Sequence, residues 1–206
     1  YVGITVVVYF YQRKLLYHPF SAEITGEGLI HNFETINFKT SDNFVLKGWF
    51  HLKNSNKKTI LFLHGNAGNL DNRIDKLNSL GNMDINFLII AWRGYSGNPG
   101  NPSEEGLYKD AMGSINWLNK KGISNDQIIL YGESLGTAIA TEIGVEWRLV
   151  VIARVLVTPS GIGLPDLYPR GAKGCAILIY YAARKQSSFA QRVAIDSGIL
   201  QQVSIN

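Results

Sequence analysis

Residues 129–140 read ILYGESLGTAIA: an apolar run, a serine set between glycines, and a small-residue run suited to opening a helix. Gly132-Glu133-Ser134-Leu135-Gly136 fits the G-x-S-x-G elbow, in which a sharp strand-to-helix turn lifts a serine oxygen above the edge of a sheet. The elbow glycines, Gly132 and Gly136, are needed because such a turn brings strand and helix backbones too close for a side chain. Ala138 and Ala140 then let the helix pack closely. A serine hydroxyl is a weak nucleophile until a base removes its proton, so the stretch predicts a nucleophile at Ser134 and asks where its base is.

Working outward, the chain alternates strand and helix. HNFETINFKT (31–40) and NFVLKGWFHLK (43–53) alternate apolar and polar residues around Ser41-Asp42, which predicts two antiparallel strands joined by a turn. KKTILFLHGN (57–66), INFLIIAWRG (85–94) and QIILYG (127–132) are compact apolar strands. Between them, Leu70, Ile74 and Leu77 mark a helix over about 69–80. Ser103 offers an N-cap with Glu104 and Glu105 in the first turn, and Leu107, Ala111, Ile115 and Leu118 line one face of a helix closed by Lys120, Lys121 and Gly122. This order predicts an α/β fold, a mostly parallel sheet with helices on both faces.

The 206 residues, 46% hydrophobic and 17% charged, suffice for one globular domain with something at an end. A net charge of +4 comes from scattered lysines rather than a dense basic run, which argues against nucleic acid and leaves a mildly basic face near an anionic membrane. A single cysteine, Cys175, excludes an internal disulfide and a cysteine-based zinc site; it is most simply an inert thiol. No metal site and no cofactor are expected.

Residues 1–18 run uncharged from Tyr1 to Gln12 and then meet Arg13 and Lys14. At about 1.5 Å per residue the uncharged part reaches only about half of a ~30 Å hydrocarbon core. The aromatic cluster and basic pair read as the interfacial end of a membrane anchor whose beginning lies outside the sequence, with a buried strand as the alternative. A membrane-associated location follows, on an unassigned side. Residues 19–144 form the α/β domain. Beyond Gly144 the composition shifts from Asn, Lys and Ile to Arg, Ala and Val, and residues 145–206 are an unassigned tail. RLVVIARVLVTP (148–159) could continue the sheet; nothing later has a pattern that places it there. The shift marks a fragment boundary, a reading-frame slip or a chimeric join.

LFLHGNAGN (61–69) ends the first parallel strand. Neighbouring strands of a parallel sheet share one carboxyl edge, so this loop should meet the serine turn there. It can aim a backbone N–H at an oxyanion, and Asn66 N–H with Leu135 N–H are the two expected donors, aided by the field of the helix opening at Ser134. RGYSGNPG (93–100) borders the same edge and reads as scaffold.

LHGNAGN, RGYSGNPG, SEEGLYKDA and YGESLGTAIA, in this order, resemble the α/β-hydrolase superfamily over about residues 12–144, in particular a membrane-anchored branch related to bud-emergence hydrolases and serine aminopeptidase-like proteins. The resemblance implies a Ser-Asp-His triad with Ser134 as nucleophile, an oxyanion hole at Asn66 and Leu135, a supporting role for His64 and Gly65 in the loop, and action on acyl esters, thioesters or amides of small molecules or lipids. In that superfamily the acid and then the histidine follow the serine. Here His18, His31, His51 and His64 all precede it; Asp166 and Asp196 follow, but no histidine does. Glu133 is expected to project from the elbow without a role. The acid and base are therefore unassigned. The leading expectation is a serine hydrolase whose C-terminal part is missing or replaced, and the alternative is a catalytically silent binding or scaffold module.

Overall fold

The computed structural model describes residues 2–147, 149–156 and 175–180. Its main sheet contains β1 (Glu34–Lys39), β2 (Val45–His51), β3 (Thr59–Leu63), β4 (Asn86–Ile90), β5 (Ile128–Glu133), β6 (Val150–Leu156) and β7 (Cys175–Tyr180) in the spatial order β1-β2-β4-β3-β5-β6-β7. Strands β3, β4, β5 and β6 are mutually parallel; β1 pairs antiparallel with β2, β2 with β4, and β7 with β6. The helices are α1 (Val2–Leu16), α2 (Ile74–Gly81), α3 (Glu104–Lys120) and α4 (Leu135–Trp147); a short 3-10 turn at Leu70–Arg73 leads into α2 and another at Asn125–Gln127 precedes β5.

The two-residue period of a strand divides the core. Leu61, Leu63, Leu88 and Ile90 face one side, against Leu107, Ala111, Ile115 and Leu118 of α3 and Ile139, Ala140 and Ile143 of α4. Their alternates Ile60, Phe62, Phe87 and Ile89 face the other, against Leu70, Ile74 and Leu77. Because β3 and β4 are covered on both faces, every residue in them is buried, which explains their unbroken apolar runs. In β1 only Ile36 and Phe38 are buried, as alternation at the sheet margin requires. The start of α3 is fixed by Ser103 Oγ, which accepts the Gly106 N–H at 3.2 Å.

The structure settles the secondary structure of the N-terminal run and adds a strand at the other end. The N-terminal segment is a helix and not a strand: α1 satisfies its backbone internally despite its β-branched residues, and it leaves Ile4, Tyr9 and Phe10 exposed. Among the described residues no helix is long and apolar enough to cross a membrane. At the other end, Cys175–Tyr180 forms a strand antiparallel to β6 where the sequence showed no placeable pattern. Asp166 and Asp196 lie outside the described residues.

One buried ionic knot ties the N-terminal half together. Arg93, in the turn after β4, donates from Nε and Nη2 to Asp110 Oδ1 of α3 at 2.9 and 2.7 Å, and its backbone N–H reaches Asp110 Oδ2 at 2.9 Å. The same guanidinium reaches both Asp42 carboxylate oxygens in the β1–β2 turn, at 2.8 and 3.1 Å, and lies 4.7 Å from the centre of the Phe44 ring. It holds the Asp42 carboxyl well below the usual carboxylate range. Asp110 is fully buried, so removing its partner strands a charge. Arg93→Met should cost about 3–5 kcal/mol in urea unfolding, and adding Asp110→Leu should recover most of that loss. A double variant as unstable as the single one would contradict this reading.

Candidate active site

Ser134 sits between the last residue of β5 and the first of α4, is exposed, and has φ = 51°. That left-handed conformation costs a residue with a Cβ roughly 1–2 kcal/mol, so surrounding contacts must impose it. Backbone crowding does so. A Cβ on Gly132 would lie 2.5 Å from Gly136 O and 2.6 Å from Thr137 Cα, and one on Gly136 would lie 1.9 Å from Leu63 O. Only glycine permits α4 to start this close to the ends of β3 and β5. Thr137 Oγ1 donates to Gly132 O at 3.2 Å and Thr137 N–H to Ser134 O at 2.9 Å, closing the turn.

The loop after β3 runs against this serine: a Cβ on Gly65 would be 3.4 Å from Ser134 Cβ. The carbonyl and the side-chain oxygen of Asn66 are both engaged. Tyr95 Oη donates to Asn66 O at 2.8 Å, and His18 N–H donates to Asn66 Oδ1 at 3.2 Å. The Asn66 N–H has no protein acceptor among the described residues, and the N–H groups of Leu135 and Gly136 open α4 without helical partners. Downstream, the buried Arg73 guanidinium donates to Ala67 O at 2.6 Å and Asn69 O at 2.7 Å. Residues 18–19 add a short parallel pairing to 67–68, which clamps the loop from its other flank.

His64 is fully buried beneath the loop, its ring 5.6 Å from that of Trp92 and 5.4 Å from that of Tyr95. Nδ1 lies 2.6 Å from Gly65 O, and Nε2 faces the Trp92 N–H at 3.4 Å. Burial, reinforced by the charge of Arg73, lowers its pKa to about 3. The ring is therefore neutral at ordinary pH, with Nδ1–H donating to Gly65 O in the loop and Nε2 facing the Trp92 N–H beyond the end of β4, so it ties the two together. The other histidines are occupied differently: His31 Nε2 meets Asn78 O, His51 Nδ1 meets Asn32 O, and His18 contributes its backbone. None of them hydrogen-bonds Ser134 among the described residues. Nor do those residues contain a cluster of three side chains able to hold a metal.

Glu133 does not project freely. It pairs with Lys76 of α2 and is only 13% exposed, because the elbow turns it back over α2. Tyr95 is the residue that sequence reasoning passed over as scaffold. It is fully buried, and burial raises its hydroxyl to about pKa 12, so it remains an O–H donor to the Asn66 carbonyl. A tyrosine enclosed by a glycine-rich turn at a strand end needs a polar partner for its hydroxyl, and that was the available signal.

The site thus combines an exposed serine, unpaired backbone N–H groups at the start of α4 and at Asn66, and, among the described residues, no histidine hydrogen-bonded to Ser134. No family model matches the chain. It is 32% identical over 147 residues to the "alpha/beta hydrolase domain-containing protein WAV2" of Arabidopsis thaliana, covering 66% of this chain and 47% of that one. To "protein bem46" of Schizosaccharomyces pombe it is 28% identical over 178 residues, 80% of this chain and 60% of the relative. Among solved structures it resembles an α/β hydrolase from Vibrio vulnificus, with 31% identity, a TM-score of 0.50, and coverage of 58% and 42% of the two chains. The Pyrococcus furiosus esterase Pf2001 shares the fold at 21% identity, a TM-score of 0.53, and coverage of 63% and 50%. The chain spans about half the length of the curated relatives it matches.

The neutral state of His64 has a pH signature. Its folded pKa lies below the unfolded value of about 6.5, so the unfolded chain binds more protons between pH 6.5 and about 3, and stability present above 6.5 is lost as the pH falls through that window. Urea unfolding should show a loss approaching ~1.4 kcal/mol per pH unit from this residue, absent in His64→Gln. An identical pH slope in both proteins would contradict a neutral buried ring.

Proposed function

Because this chain belongs to the α/β-hydrolase superfamily by fold and by sequence relationship, we propose that its exposed carboxyl edge is an acyl-transfer site with Ser134 as nucleophile. The observation that carries this reading is the elbow itself. Ser134 is held at φ = 51° by glycine-only contacts, with the Gly65 loop packed against its Cβ. Attack by Ser134 Oγ on an ester, thioester or amide carbonyl would place the developing oxyanion against the N–H groups of Asn66 and Leu135, with the α4 dipole adding to them. Tyr95 and His18 orient Asn66, and His64 and Gly65 support the loop. The chemistry asks for no cofactor. Esters are the class we favour.

The proton acceptor is the missing part. No histidine follows Ser134 in the 206 residues, and His64 is sealed and neutral. We infer that this chain by itself does not turn over, and that an acid and a base of a complete relative would complete the edge. The same absence favours a second reading, a silent hydrolase-like module that binds without catalysing. In either case α1, with Val6, Val7, Tyr9, Phe10 and Leu15 exposed and Arg13 and Lys14 in its last turn, is proposed to lie at a membrane surface.

The test is p-nitrophenyl ester hydrolysis by this chain and by a version continued after Gly144 with the corresponding segment of a complete relative, each beside its Ser134→Ala variant. Losing the histidine of a triad costs on the order of 10⁶ in kcat, with a residual of about 10³–10⁴ over water from the oxyanion donors. Ser134-dependent turnover should appear only in the completed protein. Robust Ser134-dependent turnover by the chain itself would place a base within it, and none in the completed version would favour the silent module.

A further inference from the structure

A cleft of about 520 Å³ lies between the last turn of α1 and the first turn of α3, lined by Arg13, Leu16 and Tyr17 on one side and Glu104, Glu105 and Tyr108 on the other. Its volume is in the ordinary range for a small-molecule site. Tyr17 is the informative residue: its ring is packed into the core, and its hydroxyl, which has no hydrogen-bond partner among the described residues, lines this cleft. A phenol held in place by its ring with its O–H left for the cleft is a fixed donor for a ligand there.

The charges around it restrict the ligand. Burial raises the Tyr17 hydroxyl first, the Glu104 carboxylate raises it further, and Arg13 pulls it down, so both charges act at this ring. Arg13 makes no ion pair among the described residues and Glu104 only accepts the Tyr108 hydroxyl, at 3.1 Å, whereas Glu105 is already paired with Lys109. A guanidinium and the Tyr17 O–H suit a phosphate, and the Tyr108 ring beside the Glu104 carboxylate suits a quaternary ammonium. Leu16 supplies apolar surface at the mouth and continues into the exposed face of α1.

We propose that this cleft binds a zwitterionic phosphocholine group, with Arg13 and the Tyr17 hydroxyl on the phosphate and Tyr108 and Glu104 around the ammonium. The site is separate from Ser134 and does not rest on its chemistry. It is nevertheless adjacent in the chain to the oxyanion loop, since the residue after Tyr17 is His18, whose N–H holds Asn66.

Isothermal titration of the chain with phosphocholine, with monomeric dibutyrylphosphatidylcholine and with glycerol phosphate separates the possibilities. Phosphocholine should saturate, and glycerol phosphate, which lacks the ammonium, should bind more weakly. Tyr17→Phe should weaken phosphocholine by about tenfold or more while leaving the thermal midpoint unchanged or raised, because it removes a hydroxyl that no protein group satisfies. Glu104→Gln should weaken phosphocholine and leave glycerol phosphate unaffected. Tighter binding of the dibutyryl lipid would assign the site to a lipid headgroup, and equal binding would assign it to the free solute; both support a phosphocholine site. Absence of saturation by either choline compound up to about 10 mM, or unchanged affinity in Tyr17→Phe or Glu104→Gln, would overturn it.

Discussion

The closest backbone approach in the site, Gly136 over the carbonyl of Leu63, is the constraint on which the rest of the carboxyl edge depends. No side chain fits there, since a Cβ would fall 1.9 Å from that oxygen. Accepting the contact sets where α4 begins, which forces Ser134 into the left-handed region and turns its side chain out of the sheet. It also sets the height of the β3 end, from which the Gly65–Asn66 loop passes beside the serine. Parallel register makes this possible, because Leu63 pairs with Gly132 and so brings the two strand ends level.

Around that contact the site is built largely from main chain, and the buried side chains serve to orient it. Tyr95 and His18 engage the carbonyl and the side chain of Asn66, Arg73 takes the carbonyls of Ala67 and Asn69, and His64 props the loop from below with a neutral ring. Under the proposed acyl-transfer reading, this fixed main chain would supply the preorganisation that oxyanion stabilisation requires. The Arg93 knot belongs to the same design: it fixes the turn that delivers Tyr95 while joining it to α3 and the β1–β2 turn.

Much of this was legible in the sequence. The strands β3, β4 and β5 announced themselves as apolar runs, and the Ser103 cap and the stripe through Leu107, Ala111, Ile115 and Leu118 placed α3. The elbow and its neighbouring loop were readable because glycine spacing reports a steric requirement. What stayed hidden depended on partners distant in sequence. Asp110 sat within an apolar stripe without revealing Arg93, Tyr95 looked like turn scaffold, and Glu133 found Lys76 only after folding. The N-terminal run could not be assigned as helix or strand by periodicity, because it is apolar on all sides, and Cys175–Tyr180 is a short apolar run without the alternation that would set its place in the sheet.

The central claim is that Asn66 and Leu135 form a ready oxyanion site for Ser134. It is tested most directly by following backbone amide resonances while the chain is titrated with butylboronic acid, whose tetrahedral adduct on a serine oxygen imitates the charged intermediate. The amides of Asn66 and Leu135 should shift together in this chain and remain still in Ser134→Ala. Shifts that persist in Ser134→Ala, or a serine adduct that leaves both amides unmoved, would contradict it.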